Sequence, residues 1–197
     1  MIKATPKDKA HILEILTLAF SQDPQTIWLA EPADVNQSKR IRAMMNFAFE
    51  KSILHQEVYL SKDRQAVAIW LPPQVLPKFS WGLFKAYLHY IWYLKWHGVK
   101  RSMAMKNRIT RHYPKDQEFW YLWIIGVRPG YQGLGLSSQL IKPMLQRADE
   151  ERLPVYLETS TSSNAEMYQR KGFEVFEELS LEGPKSALVY MMKRMAQ

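Results

Sequence analysis

WYLWIIGVRPGYQGLGLSSQLIKPMLQRADE, residues 120–150, decides how the rest of the chain is read. It opens as an aromatic and β-branched run with no charge between Phe119 and Val127, the length and composition of a buried strand. Arg128-Pro129-Gly130 breaks that strand, and Gly133 and Gly135 follow at alternate positions. From Leu136 the apolar residues Leu140, Ile141, Met144, Leu145 and Ala148 recur at helical spacing. The spacing predicts strand, glycine loop, helix.

Such a loop suits an anion. Glycine takes positive φ and lets the main chain approach a ligand, while the first helical turn leaves N–H groups unpaired at the positive end of the macrodipole. A simple tight turn would look the same. A Walker loop fails, because Gly135 is followed by Leu136 rather than by Lys and Ser or Thr. A dinucleotide fingerprint has its glycines in Gly133 and Gly135 and an acid in Glu158, but too little chain follows for a doubly wound sheet. The pattern Gln/Arg-x-x-Gly-x-Gly/Ala is met from Gln132 through Leu136, with Ser137 in place of the last small residue.

On these residues the sequence resembles the GCN5-related N-acetyltransferases (GNAT family), whose pyrophosphate loop this pattern is. Residues 153–179 resemble the second half of the same core, with Asn164 and Tyr168 four apart on one helix face and Gly172-Phe173 opening another strand. With the run Leu157 to Ser160 and the closing Tyr190 to Arg194, the likeness is to the subgroup that includes puromycin acetyltransferase. The resemblance implies an α/β (α+β) GNAT fold over residues 1–197 as one domain: a mixed, mostly antiparallel sheet splayed between its fourth and fifth strands, with helices on both faces.

The composition agrees with that size. The 197 residues suffice for one domain with a sizeable core, and 47% hydrophobic with 23% charged residues is ordinary for a globular protein. Without Cys there is neither a disulfide framework nor a thiolate zinc site, and the five His lack ligand spacing, so no metal is expected. The start MIKATPKDKA has no hydrophobic signal core, which predicts a cytoplasmic protein. A net charge of +8 points to an anionic partner: nucleic acid, anionic membrane and a polyphosphate cofactor all qualify, as does a solvated basic surface.

Ahead of the decisive stretch, residues 2–4 read as a short strand, Thr5-Pro6-Lys7-Asp8 as a helix start, and Ile12, Ile15, Leu16 and Ala19 as one apolar stripe ended by Asp23-Pro24. A second helix is predicted over residues 36–52, and residues 58–60 and 66–71 form a hairpin closed by Pro72-Pro73. Residues 78–112 are extra to a minimal acetyltransferase and read as two helices parted at His97-Gly98. Lys85, His89 and Lys95 interrupt the first of them and argue against a membrane span. Extra core, a lid over the acceptor site and a membrane-surface element all fit this insertion. No recognition motif accompanies its basic residues, so nucleic acid is not expected as a partner.

What the resemblance implies chemically is acetyl transfer from acetyl-CoA to the amine of a small molecule. Ile125 and Val127 would offer backbone groups to the pantetheine arm and the acetyl carbonyl, and Gly126 would permit close approach. Gln132, Gly133, Leu134, Gly135, Leu136, Ser137 and Ser138 would take the pyrophosphate, and Asn164 the amide arm. Tyr168 matches the family's general acid; Glu158 is a candidate base or a partner for a cationic acceptor. Asp23, Trp28, Trp70 and His112 are candidate acceptor contacts. A non-catalytic acyl-CoA sensor of the same fold is the competing reading, ahead of a basic nucleic-acid or membrane-surface protein. The acceptor's identity and the oligomeric state, a homodimer included, are open at this level.

Overall fold

The computed structural model describes residues 1–31, 33–74, 78–181 and 187–197. A seven-stranded sheet runs β1 (Ile2–Lys3), β2 (Val58–Leu60), β3 (Ala66–Leu71), β4 (Trp120–Val127), β5 (Val155–Thr159), β7 (Ala187–Arg194), β6 (Glu174–Leu181) across its width. Among the described residues only the central β4–β5 pair is parallel; the other ladders are antiparallel. The parallel pair requires a crossover, and α5 (Leu136–Glu150) supplies it.

Helices cover both faces. On one, α1 (Lys9–Ala19) and α3 (Gln37–Ile53) bury Ile12, Ile15, Leu16, Ile41 and Phe49 against Val58, Val67 and Ile69. Farther along that face, α2 (Pro24–Leu29) and the end of α4 (Trp81–Thr110) pack Trp28, Met105 and Ile109 on Leu179, Val189 and Met191. On the opposite face α5 and α6 (Ser162–Gln169) bury Leu140, Ile141, Met144, Ala165 and Tyr168 against Trp70, Leu122, Leu157 and Met192. The alternation of strand residues between these two sets is the period of two that the sequence carries.

The inserted segment forms two helical halves, as expected, but the break lies at Lys95 (φ 53°, ψ −176°) and not at His97-Gly98. Gly98 is helical, and its missing side chain matters there: a Cβ would stand 2.9 Å from the Leu94 Cβ. The insertion is core on one side only. Leu94 and Val99 are buried with Ala43 of α3, and Ala86 is buried too, while much of the opposite side is exposed. Among the described residues no helix is long and apolar enough to cross a membrane.

Candidate active site

Strands β4 and β5 are paired at Trp120 with Val155, Tyr121 with Tyr156 and Leu122 with Leu157, and there the ladder stops. Beyond it β4 stays with β3 as far as Val127 opposite Ala66, and β5 stays with β7 as far as Thr159 opposite Tyr190. The two strands therefore diverge into a wedge-shaped gap. Its cause is a bulge: Trp70 faces Leu122 and Ile69 faces Ile124, which leaves Trp123 as the extra residue. A bulge bends and twists its strand.

The bulge also decides which amides face the gap. The N–H of Trp120 donates to Pro154 at the start of β5, so before the bulge the even-numbered residues point toward β5. After it the N–H of Arg128 donates to Gln65 at the start of β3, so Gly126 and Ile124 point to β3, and the amides of Ile125 and Val127 point away from it into the gap. Gly126 has a packing role on the α1 side of the sheet. A Cβ there would lie 3.0 Å from both the Ala19 Cβ and the Leu16 Cδ2, so its bare Cα is what lets α1 sit tightly on β4.

At the end of the gap the chain turns through Gly133 (φ 79°) and Gly135 (φ 75°) into α5, with nothing within 4 Å of where either Cβ would be. The amides of Gln132, Gly133, Leu134, Gly135, Leu136, Ser137 and Ser138 enter none of the turn, loop or cap hydrogen bonds among the described residues; Gln139 is the first to do so, donating to Gly135. Residues 131–135 are exposed, while the Leu136 side chain is anchored in the core. The result is a row of free N–H groups at the positive end of a fifteen-residue helix.

Tyr168 and Glu158 lie on opposite faces of the sheet. Tyr168 is 4% exposed on the α5–α6 side, edge-on to Phe173, and burial holds its phenol well above the usual range and hence protonated. Among the described residues its hydroxyl has no hydrogen-bond partner. Asn164 stands exposed one turn before it. Glu158 faces the α1–α4 side, where its two carboxylate oxygens accept from the hydroxyls of Tyr113 and Tyr121. Burial pushes its carboxyl up to about 8.

Trp70 is fully buried beneath α5, so it is core rather than a wall of a cleft. Trp28 is 8% exposed, packed on β6 and β7 with the Arg101 guanidinium over its ring. Asp23 caps α2, one oxygen accepting from Thr26 N at 2.8 Å and the other from the hydroxyl of Ser160, which ties α2 to the end of β5. His112 pairs with Glu177 on β6 at 3.4 Å, while its neighbour Tyr113 takes the place at Glu158. Sequence reasoning missed Tyr113 and Tyr121. For Tyr121 a signal existed in the strand's alternation, which sets it beside Glu158 on one face; Tyr113 lies in the loop after α4, where no periodicity applies. Among the described residues no cluster of His, Asp and Glu could hold a metal ion.

Residues 55–173 match the profile of the acetyltransferase (GNAT) family. The chain belongs to that family. This GNAT is 26% identical over 178 residues to an uncharacterised N-acetyltransferase of Schizosaccharomyces pombe, 85% of this chain and 71% of the yeast protein. Its fold is similar to that of a Corynebacterium glutamicum protein described as histone acetyltransferase HPA2 and related acetyltransferase, with a TM-score of 0.67 at 22% identity, covering 100% of this chain and 96% of that one. A Drosophila melanogaster polyamine N-acetyltransferase is similar over 98% of both chains, with a TM-score of 0.57 at 16% identity.

Proposed function

We propose that this GNAT moves an acetyl group from acetyl-CoA to the amine of a small molecule, both substrates meeting in the gap between β4 and β5. The parting of those strands after Leu122 and Leu157, with two amides turned into the opening, carries the reading. The residues present suit the cofactor. Residues 132–138 offer unengaged N–H groups and two glycines open to a close neighbour, which fits a pyrophosphate, and Asn164 is exposed for the amide arm. Burial first, then the charges of Lys142 and Arg170, hold the Lys171 ammonium below its usual range; an anion beside these cations would reverse part of that.

Bound acetyl-CoA supplies an activated thioester. Ile125 and Val127 lie two residues apart on β4, so their N–H groups serve different acceptors: one would hold the pantetheine arm and the other would donate to the thioester carbonyl oxygen as negative charge develops there, a preorganised contribution that costs no reorientation. Glu158, in its carboxylate form, takes the proton from the acceptor nitrogen as the C–N bond forms. Tyr168, kept protonated by burial, gives its proton to the sulfur as the C–S bond breaks. Acid and base thus work from opposite faces of the sheet, and the gap is the passage between them. Until it ionises, Glu158 serves as a polar anchor held by two phenols.

The direct test is thiol release from acetyl-CoA over a panel of aromatic amines, aliphatic polyamines and aminoglycosides. Saturable, amine-dependent release from at least one class supports transfer. Tight acetyl-CoA binding with no release from any of them would favour the sensor reading.

A further inference from the structure

We propose that the outer face of α4 docks on the surface of an anionic phospholipid bilayer. Trp81, Phe84, Leu88, Ile91 and Trp92 are 69, 43, 49, 36 and 78% exposed. Their spacing places them within an arc of about 100° on an α-helix, one continuous apolar stripe. The helix has no need of that stripe for folding, because its other side already packs Tyr90, Tyr93 and Leu94 against Ala43, Met44 and Phe47 of α3. Phe79, 72% exposed and edge-on to Trp81, extends the stripe into the preceding loop. Trp and Tyr at such a face suit the boundary between headgroup and acyl chain, where one end of the ring is apolar and the other wet.

Charge selects the partner. Of the chain's 27 Lys and Arg, nine lie in residues 78–115, and none of its 19 Asp and Glu do, so this segment carries +9 while the rest of the chain, with 18 basic and 19 acidic residues, carries −1. Lys85 borders the stripe and Lys95 stands at its end, where the helix breaks, both with stems long enough to bury while their ammonium groups reach the headgroups. A second copy of this chain would set lysines against lysines across a twofold axis, and nucleic acid would have no use for Leu88 and Ile91. An anionic lipid surface uses both features at once. Since the helix is not apolar enough to cross a bilayer, it would lie in the plane of the interface.

The test is cosedimentation of the full chain with phosphatidylserine–phosphatidylcholine vesicles and with pure phosphatidylcholine vesicles, followed also by Trp emission. Binding to the anionic vesicles, weakened by salt and accompanied by a blue shift, is expected. Leu88→Glu with Trp92→Glu should abolish it, and Lys85→Glu or Lys95→Glu should each weaken it by at least about fivefold. These side chains are exposed, so acetyl-CoA binding and thermal melting should stay as in the wild type. Absence of binding to anionic vesicles, or equal binding to neutral ones, overturns the proposal. So does a wild-type dimer in sedimentation velocity that Leu88→Glu converts to monomer, which would assign the face to a second copy.

Discussion

The hydroxyl of Tyr121 on β4 donates to Glu158 on β5 at the point where the two strands cease to pair. The ladder ends one residue farther along β4, at Leu122, and one residue short of Glu158 on β5, at Leu157. A side-chain hydrogen bond thus stands at the apex of the wedge, on the face away from α5. Glu158 is set where the main-chain hydrogen bonds run out, which is why it meets an environment poor in water and rich in phenols.

That environment predicts a pH profile. With its carboxyl pushed up to about 8, Glu158 is largely protonated at neutral pH, and the fraction able to accept a proton grows as pH rises. Initial rates at subsaturating amine should climb through about pH 8. Glu158→Gln should lower kcat/KM by about 10²-fold and flatten that limb. A profile with the same limb in Glu158→Gln would place the titrating group elsewhere.

The same shift has a consequence for stability. The folded carboxyl binds its proton more tightly than the unfolded one, whose ordinary value is 4.5. Its contribution is therefore fully present below about pH 4.5 and is lost as pH rises through about 8. Glu158→Gln removes that loss, so its melting temperature relative to wild type should increase between those two pH values. A constant difference across the range would contradict the raised value.

Tyr168→Phe separates chemistry from packing. Its hydroxyl has no partner among the described residues, so the ring contact with Phe173 should survive and thermal stability should be unchanged. If the phenol protonates the departing sulfur, kcat should fall by about 10²-fold while KM for acetyl-CoA stays put. An unaltered kcat would remove Tyr168 from the mechanism.

Two glycines should answer differently to the same substitution. Gly135→Ala places a side chain at φ 75°, at a cost of about 1–2 kcal/mol, and perturbs the amide row; KM for acetyl-CoA should rise about tenfold. Gly126→Ala drives a methyl against Ala19 and Leu16, and should destabilise the fold by about 1–3 kcal/mol with KM for acetyl-CoA little changed. Denaturant titration beside steady-state kinetics distinguishes them.

The strand, loop and helix of residues 120–150 were legible because each is local: an uncharged run, Gly133 and Gly135, and a helical stripe. So was the hairpin of β2 and β3. The bulge at Trp123 was not, since Trp123, Ile124 and Ile125 are all apolar and no alternation reveals which of them is extra. Long-range placement was harder. Trp70 alternates correctly within β3 for either face, and only the packing of α5 shows that it faces the core. Tyr113 and Glu158 are 45 residues apart and meet because α4 returns to the sheet. Lys95 takes a positive φ that nothing in its residue type foretells, whereas Gly98, the natural breaker, stays helical, close against Leu94.

Titration of the labelled protein with coenzyme A, followed by amide resonances, tests the account at its centre. Large shifts at Ile125 and Val127 together with those of residues 132–138 are predicted, while Ile124 and Gly126, turned toward β3, should move less. Binding that leaves Ile125 and Val127 unmoved, or that shifts Ile124 and Gly126 in their place, would contradict it.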